Sequence, residues 1–252
     1  MRFKNWARSL SLLIAGTWIN NWGVGYLPIR DLGLTTAEES FAYRGASTLL
    51  TLLMIYFFAP GSWRRLLPMV RPGRWLSSLG LLAFLVASSG AIHSISHHSL
   101  FDIFLATLWA FSIGIEEDTF ARGFAFGVLE KHGVWIAAII SSVEFGALHL
   151  FNLRAGYSWA YTSGQVVSAA SFGFLCCGLM LYTGSIWAPI IFHAASDLPM
   201  SLQTSAQFTK DVTGGTDWFG VLVISGIYIA FGVGLIWADK KDFTLKKLDQ
   251  YL

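Results

Sequence analysis

Residues 103–128 read IFLATLWAFSIGIEEDTFARGFAFGV, and this stretch decides the fold. A bilayer-spanning helix needs about 20 predominantly apolar residues, and the run is long enough. Yet it carries Glu116, Glu117, Asp118 and Arg122. A charged side chain at mid-bilayer costs at least about 2.5–3.5 kcal/mol on insertion scales, so such groups persist where function or a specific partner holds them. The run reads as a membrane helix organised around polar chemistry.

The rest of the chain agrees. Of its 252 residues only 13% are charged, against 54% hydrophobic. Soluble domains carry about 25% charged residues, so half of the usual charge is missing. Mean hydropathy is +0.56. Disorder, a disulfide scaffold and a collagen-like fibre are excluded. A net charge of +2 gives no sign of a nucleic-acid partner. Cys176 and Cys177 are adjacent in an apolar run and read as small packing residues.

Eight apolar spans are predicted, near 9–28, 44–60, 75–95, 103–128, 133–151, 161–183, 185–203 and 218–238. The expected fold is therefore all-α, a polytopic membrane protein of about eight transmembrane helices, with one integral-membrane domain over 1–252. The first span is the weakest: Arg2, Lys4 and Arg8 precede a short apolar stretch, as in a signal peptide. No clear small-x-small cleavage site follows, and Trp18, Ile19 and Trp22 prolong the apolar character, which favours a retained anchor.

Basic residues in short loops mark the cytoplasmic side of a membrane protein. With the N-terminus inside and an even number of spans, inner segments hold twelve of the 17 Lys and Arg residues. Outer segments hold four, namely Arg30, Arg44, Arg154 and Lys210, and Arg122 lies within a span. The expected location is the cell membrane, multi-pass, with both termini cytoplasmic. His93, His97 and His98 fall in an outer loop and read as a solvated cluster without an accompanying acid or thiol.

Two further spans carry ionisable groups. One reads Ser142-Val143-Glu144-Phe145-Gly146-Ala147-Leu148-His149, the other Pro189-Ile190-Ile191-Phe192-His193-Ala194-Ala195-Ser196-Asp197. At about 100° per residue, Asp118 and Arg122 can pair along one helix face, as can His193 and Asp197. Glu116 shares a stripe with Phe120, Gly123 and Gly127, where the two glycines permit another helix to approach closely. Ser142, Phe145 and His149 share a face, while Glu144 points away from it as a packing partner, a proton site or a substrate contact. Carboxylates and imidazoles around one water can deprotonate it and stabilise an oxyanion, so the inventory suits hydrolysis. A serine nucleophile at Ser142 is the weaker reading.

These residues resemble the CPBP (CAAX protease and bacteriocin-processing, or Abi) intramembrane proteases. That family's first motif, E-E-x-x-x-R, is read on Glu116, Glu117 and Arg122; the second, F-x-x-x-H, on Phe145 and His149; the third, H-x-x-x-N/D, on His193 and Asp197. Their order within predicted spans makes the signal specific, and it places a catalytic core at 103–200. The resemblance implies a helical bundle with a polar intramembrane cavity and a glutamic protease, without cofactor or catalytic metal, although Glu116, His149 and His193 could in principle ligate zinc. It implies that Glu116 is the general base for water, assisted by His149, with His193 and Asp197 on the oxyanion side. Glu117 and Arg122 would orient the first motif, and Phe145 would pack beside the site. The eukaryotic CAAX-cleaving branch carries Asn at the position of Asp197.

The expected function is an intramembrane endopeptidase acting on a membrane-associated protein or peptide. A non-catalytic immunity or scaffold protein is the principal alternative and would be favoured by loss of a motif residue, of which none is lost. A proton-coupled transporter is a third reading; it would call for paired broken helices in the two halves.

Overall fold

The computed structural model describes residues 2–67, 71–88, 95, 98–203 and 205–249. Nine helices organise them: α1 (Arg2–Trp18), α2 (Thr36–Phe58), α3 (Pro72–Ser88), α4 (Leu100–Asp118), α5 (Val134–Leu148), α6 (Trp159–Thr183), α7 (Trp187–Ser201), α8 (Ser205–Thr213) and α9 (Trp218–Asp249). No strand occurs among the described residues. The fold is all-α, and every predicted span has its helix. His93 and His97 lie outside the described residues.

Among the described residues four segments are long and apolar enough to cross a membrane: Glu38–Phe58, Val134–Ala155, Trp159–Thr183 and Trp218–Lys240. Helix α6 is the axis of the bundle, with 72% of its most apolar window buried inside the protein, and it packs along α5 and α9. The outer helices turn large apolar side chains outward, among them Leu49, Leu53 and Phe57 on α2 and Leu222 and Trp237 on α9. Such a surface would be an aggregation hazard in water and is a solvation surface in lipid. The chain is a membrane protein.

Local chemistry sets the helix ends. Thr35 caps α2 reciprocally: its hydroxyl accepts from the Glu38 N–H at 3.4 Å, and the Glu38 carboxylate accepts from the Thr35 N–H at 2.8 Å. The first predicted span is displaced. Its helix begins at Arg2 and ends at Trp18, where Ile19–Gly23 widens into a π-turn, so the basic leader is part of α1. Helix α4 does not run straight through its span either. It passes into a π-helical turn at Thr119–Ala125 and regains α-helical form at Phe126–Leu129. Single π-turns inside helices often accompany functional sites.

Close approach of helices rests on small residues. A Cβ on Gly123 would lie 2.7 Å from Ile55 Cδ1 of α2, and one on Gly127 would meet Ser62 Oγ and, at 2.9 Å, Ala59 Cβ, so α2 and the turn that follows it use the expected small-residue stripe. Gly146 on α5 faces α6 more tightly, since a Cβ there would lie 2.6 Å from the Val166 carbonyl oxygen and 2.8 Å from Ala170 Cβ. A backbone carbonyl cannot rotate away. Gly146→Ala is therefore predicted to destabilise the bundle by about 1–3 kcal/mol, the usual range for overpacking. Gly45→Ala on α2, where a Cβ meets nothing within 4 Å, should leave the melting temperature in detergent unchanged or slightly higher. Equal melting temperatures for the two variants would remove the α5–α6 contact from this role.

Candidate active site

Three consecutive acids at the end of α4 make different contacts, the last two with opposite nitrogens of His193. Glu116 Oε2 accepts from Arg44 Nη1 at 2.7 Å. Glu117 Oε2 lies 3.6 Å from His193 Nε2. Asp118, fully buried, lies 3.0 Å from Arg122 Nη1 and accepts from His193 Nδ1 at 3.1 Å. Successive residues on a helix diverge by about 100°, which is how one short segment addresses α2, the cavity and α7 at once.

A cavity of about 500 Å³ opens above this segment, lined by Arg44, Glu116, Glu117, Phe145, His149, His193 and Asp197 together with the amides Asn20, Asn21, Asn152 and Gln165. His149 ends α5, and its Nδ1 is 3.0 Å from the Phe145 carbonyl. A carbonyl only accepts, so Nδ1 carries the proton, which in the neutral ring leaves the Nε2 lone pair available as a base. His193 shows the complementary arrangement. Its Nδ1 is held by Asp118, and its Nε2 faces Glu117 at 3.6 Å and Asp197 at 3.5 Å.

Phe145 links the parts. Its ring carries the Arg122 guanidinium 4.5 Å from its centroid, and it meets His149 and His193 edge-on. Cation–π contact of this kind is worth more when desolvated, and Arg122 is 1% exposed. Gly173 on α6 leaves the room, since a Cβ there would lie 3.2 Å from Arg122 Nη2.

All seven residues named from the sequence thus gather here, six lining the cavity and Arg122 beneath it. The structure corrects two readings. Arg44, placed in an outer segment from sequence, lies within α2 and is Glu116's partner. The first motif also shifts by one residue: four residues separate Glu117 from Arg122, whereas three separate Asp118 from it. Asp118 is the acid that pairs with Arg122, so the E-E-x-x-x-R pattern falls on Glu117, Asp118 and Arg122, with Asp in the second place. The link from Asp118 to His193 spans 75 residues and has no local signal; only its i,i+4 spacing to Arg122 was visible.

Ser142 and Glu144 stand apart from the lining. Ser142 is buried, 3.8 Å from Cys177 Sγ, and Glu144 points onto α1, where Thr17 donates to it at 2.8 Å. Among the described residues no group of three or more His, Cys, Asp or Glu is arranged to hold a metal ion.

Residues 98–199, less than half of the chain, match the family model described as Type II CAAX prenyl endopeptidase Rce1-like. All three motifs lie inside that segment. Searches of the curated proteins and of the solved structures find no match.

Asp118 is the structural centre of this site. Asp118→Asn leaves the Arg122 charge buried without its counter-ion, and breaking a buried pair typically costs about 3–5 kcal/mol. Adding Arg122→Met should recover part of the lost thermal stability, because both charges are then gone. A double variant no more stable than Asp118→Asn alone would show that the two residues are not energetically coupled.

Proposed function

We propose that this chain, whose residues 98–199 are of the Rce1-like CAAX-protease family, is an intramembrane endopeptidase that hydrolyses a peptide bond of a membrane-associated protein or peptide. The carrying observation is the convergence of Glu117, His149, His193 and Asp197 from three helices on one cavity. Glu117 is the general base in this reading, in place of Glu116, whose carboxylate is engaged by Arg44 at 2.7 Å. A water held between Glu117 and His149 Nε2 gives a proton to the carboxylate and attacks the scissile carbonyl carbon. The resulting oxyanion is met by the Nε2–H of His193, which Asp118 orients from the opposite ring nitrogen. The proton on Glu117 passes to the leaving amine as the C–N bond breaks. Arg44 and Glu116 form a positioning pair at the rim, with the guanidinium over the Trp109 ring at 4.9 Å.

Asp197 is the secondary partner of His193. At 3.5 Å from Nε2 it lies beyond hydrogen-bond contact, whereas Asp118 holds Nδ1 at 3.1 Å. His193 therefore keeps its orientation without the Asp197 charge, and Asp197 serves better as a donor toward the oxyanion, a role that an Asn amide also fills.

The test compares substitutions in membranes. Peptide fragments generated by the wild type should disappear with Glu117→Gln, since general-base catalysis is worth about 10²–10⁴-fold and Gln cannot accept the proton. Glu116→Gln should keep a substantial part of the activity. The opposite ranking would return the base to Glu116. Asp197→Asn is expected to retain most activity at neutral pH; a fall at every pH would instead make Asp197 the counter-ion on which His193 depends.

A further inference from the structure

The two ends of the helix bundle differ in charge, and the cavity opens at one of them only. One end is tied together by the Ser9 hydroxyl donating to the Val128 carbonyl at 2.8 Å, by the Ile186 N–H donating to the Arg65 carbonyl at 2.8 Å and by Arg74 on Asp239 at 2.6 Å. Arg64, Arg65, Arg71, Arg74, Lys131 and Lys240 cluster there, against Glu130 and Asp239. The other end is tied by the Ser158 N–H donating to the Val212 carbonyl at 2.9 Å and by the Ser158 hydroxyl donating to the Gly214 carbonyl at 2.7 Å. With Arg44 withdrawn into the cavity, the basic residues of that second end are Arg30, Arg154 and Lys210, among Asp31, Glu38, Glu39, Asp102, Asp211 and Asp217.

Every connection that contributes to the cavity wall belongs to this second end: Asn20 and Asn21 beyond α1, Asn152 and Tyr157 between α5 and α6, and Phe208 on α8. His149, at the C-terminus of α5, sits at the same level. No residue of the basic end lines the cavity. Lys and Arg mark the cytoplasmic side of short connections, so the basic end faces the cytoplasm.

We propose that the active-site cavity opens on the non-cytoplasmic side of the membrane. Its substrate class is then a membrane-anchored polypeptide already translocated, with the scissile bond in the segment that emerges from the outer face. This rests on the proteolytic reading for what is cleaved, though not for the side of opening. A tail lipidated within the cytoplasm would not reach the cavity, which separates this chain from the prenylated substrates in the family's description.

Single cysteines test the side directly. Gly215 at the cavity end and Gly61 at the basic end both accept a Cβ without contact within 4 Å, and Asn21 lines the cavity mouth. Cys176 and Cys177 are buried, so the wild type is the unlabelled control. With a membrane-impermeant maleimide on intact expressing cells, Gly215→Cys and Asn21→Cys should label, and Gly61→Cys only after permeabilisation. Labelling of Gly61→Cys in intact cells, with the other two protected, overturns the orientation. In the same cells, fragments present with wild type and missing with Glu117→Gln should appear in the extracytoplasmic fraction. Their recovery from the cytoplasm would overturn the substrate class even if proteolysis stands. Their absence everywhere would sink the proteolytic reading and the substrate class with it, while the labels still fix the side.

Discussion

The buried Asp118 carboxylate is the contact on which the rest of the site depends. It is shielded from water entirely, 3.0 Å from Arg122 and 3.1 Å from His193. An unpaired carboxylate in such a place is costly, so the pairing fixes where α4 lies against α7. Glu117 precedes it by one residue and is consequently delivered to the cavity, within 3.6 Å of the same imidazole. The partner cation is seated on the Phe145 ring, and α5 is drawn in by that contact. One buried charge thus registers three helices, and the cavity-lining Glu117 and His193 inherit their positions from it. Sites on helices are held more tightly than sites on loops, which suits electrostatic catalysis by preorganised groups.

The π-turn after Asp118 belongs to the same logic. Thr119–Ala125 is buried throughout, so its widened backbone is packed, with Gly123 against Ile55 of α2. That contact brings α2 close enough for Arg44 to reach Glu116. The cation is supplied by a helix outside the segment that matches the family model, so the site is completed by the N-terminal helices.

Much of this was legible in the sequence. Mean hydropathy and the repeated apolar runs gave the helical membrane fold, because a bilayer imposes length and apolarity on every span. The acids and imidazoles inside those runs marked the site, because their cost in lipid demands a reason. Helix periodicity also foresaw the Asp118–Arg122 and His193–Asp197 proximities and the glycine stripe that follows α4. What escaped were the contacts between distant segments. Arg44 meets Glu116 across 72 residues, and nothing local distinguishes it from a loop arginine. The register of the first motif was misread because two adjacent Glu residues invite pairing by identity, while the buried ion pair is decided by spacing to Arg122. The early start of α1 was missed because its first turns are polar, and its position is set by Trp6 stacking on His132 at 3.8 Å.

The proposed hydrolysis needs water inside the membrane, and the wall of the cavity carries groups that bind it. Alongside the charged groups stand Asn20, Asn21, Asn152 and Gln165, whose amides both donate and accept. Asn152 donates to Gln165 at 2.8 Å, and Asn20 accepts from Ser47 at 2.6 Å and Thr51 at 3.0 Å, so these side chains are fixed by their neighbours. Fixed amides can hold water in a file without adding net charge to a site already rich in carboxylates. They line the same cavity as the acids and imidazoles. The aromatic residues Phe151, Tyr157 and Phe208 line the same cavity and give it an apolar surface. In the proposed reaction two tasks are separate: neutral amides wet the cavity, and the charges anchored by Asp118 act on what enters it.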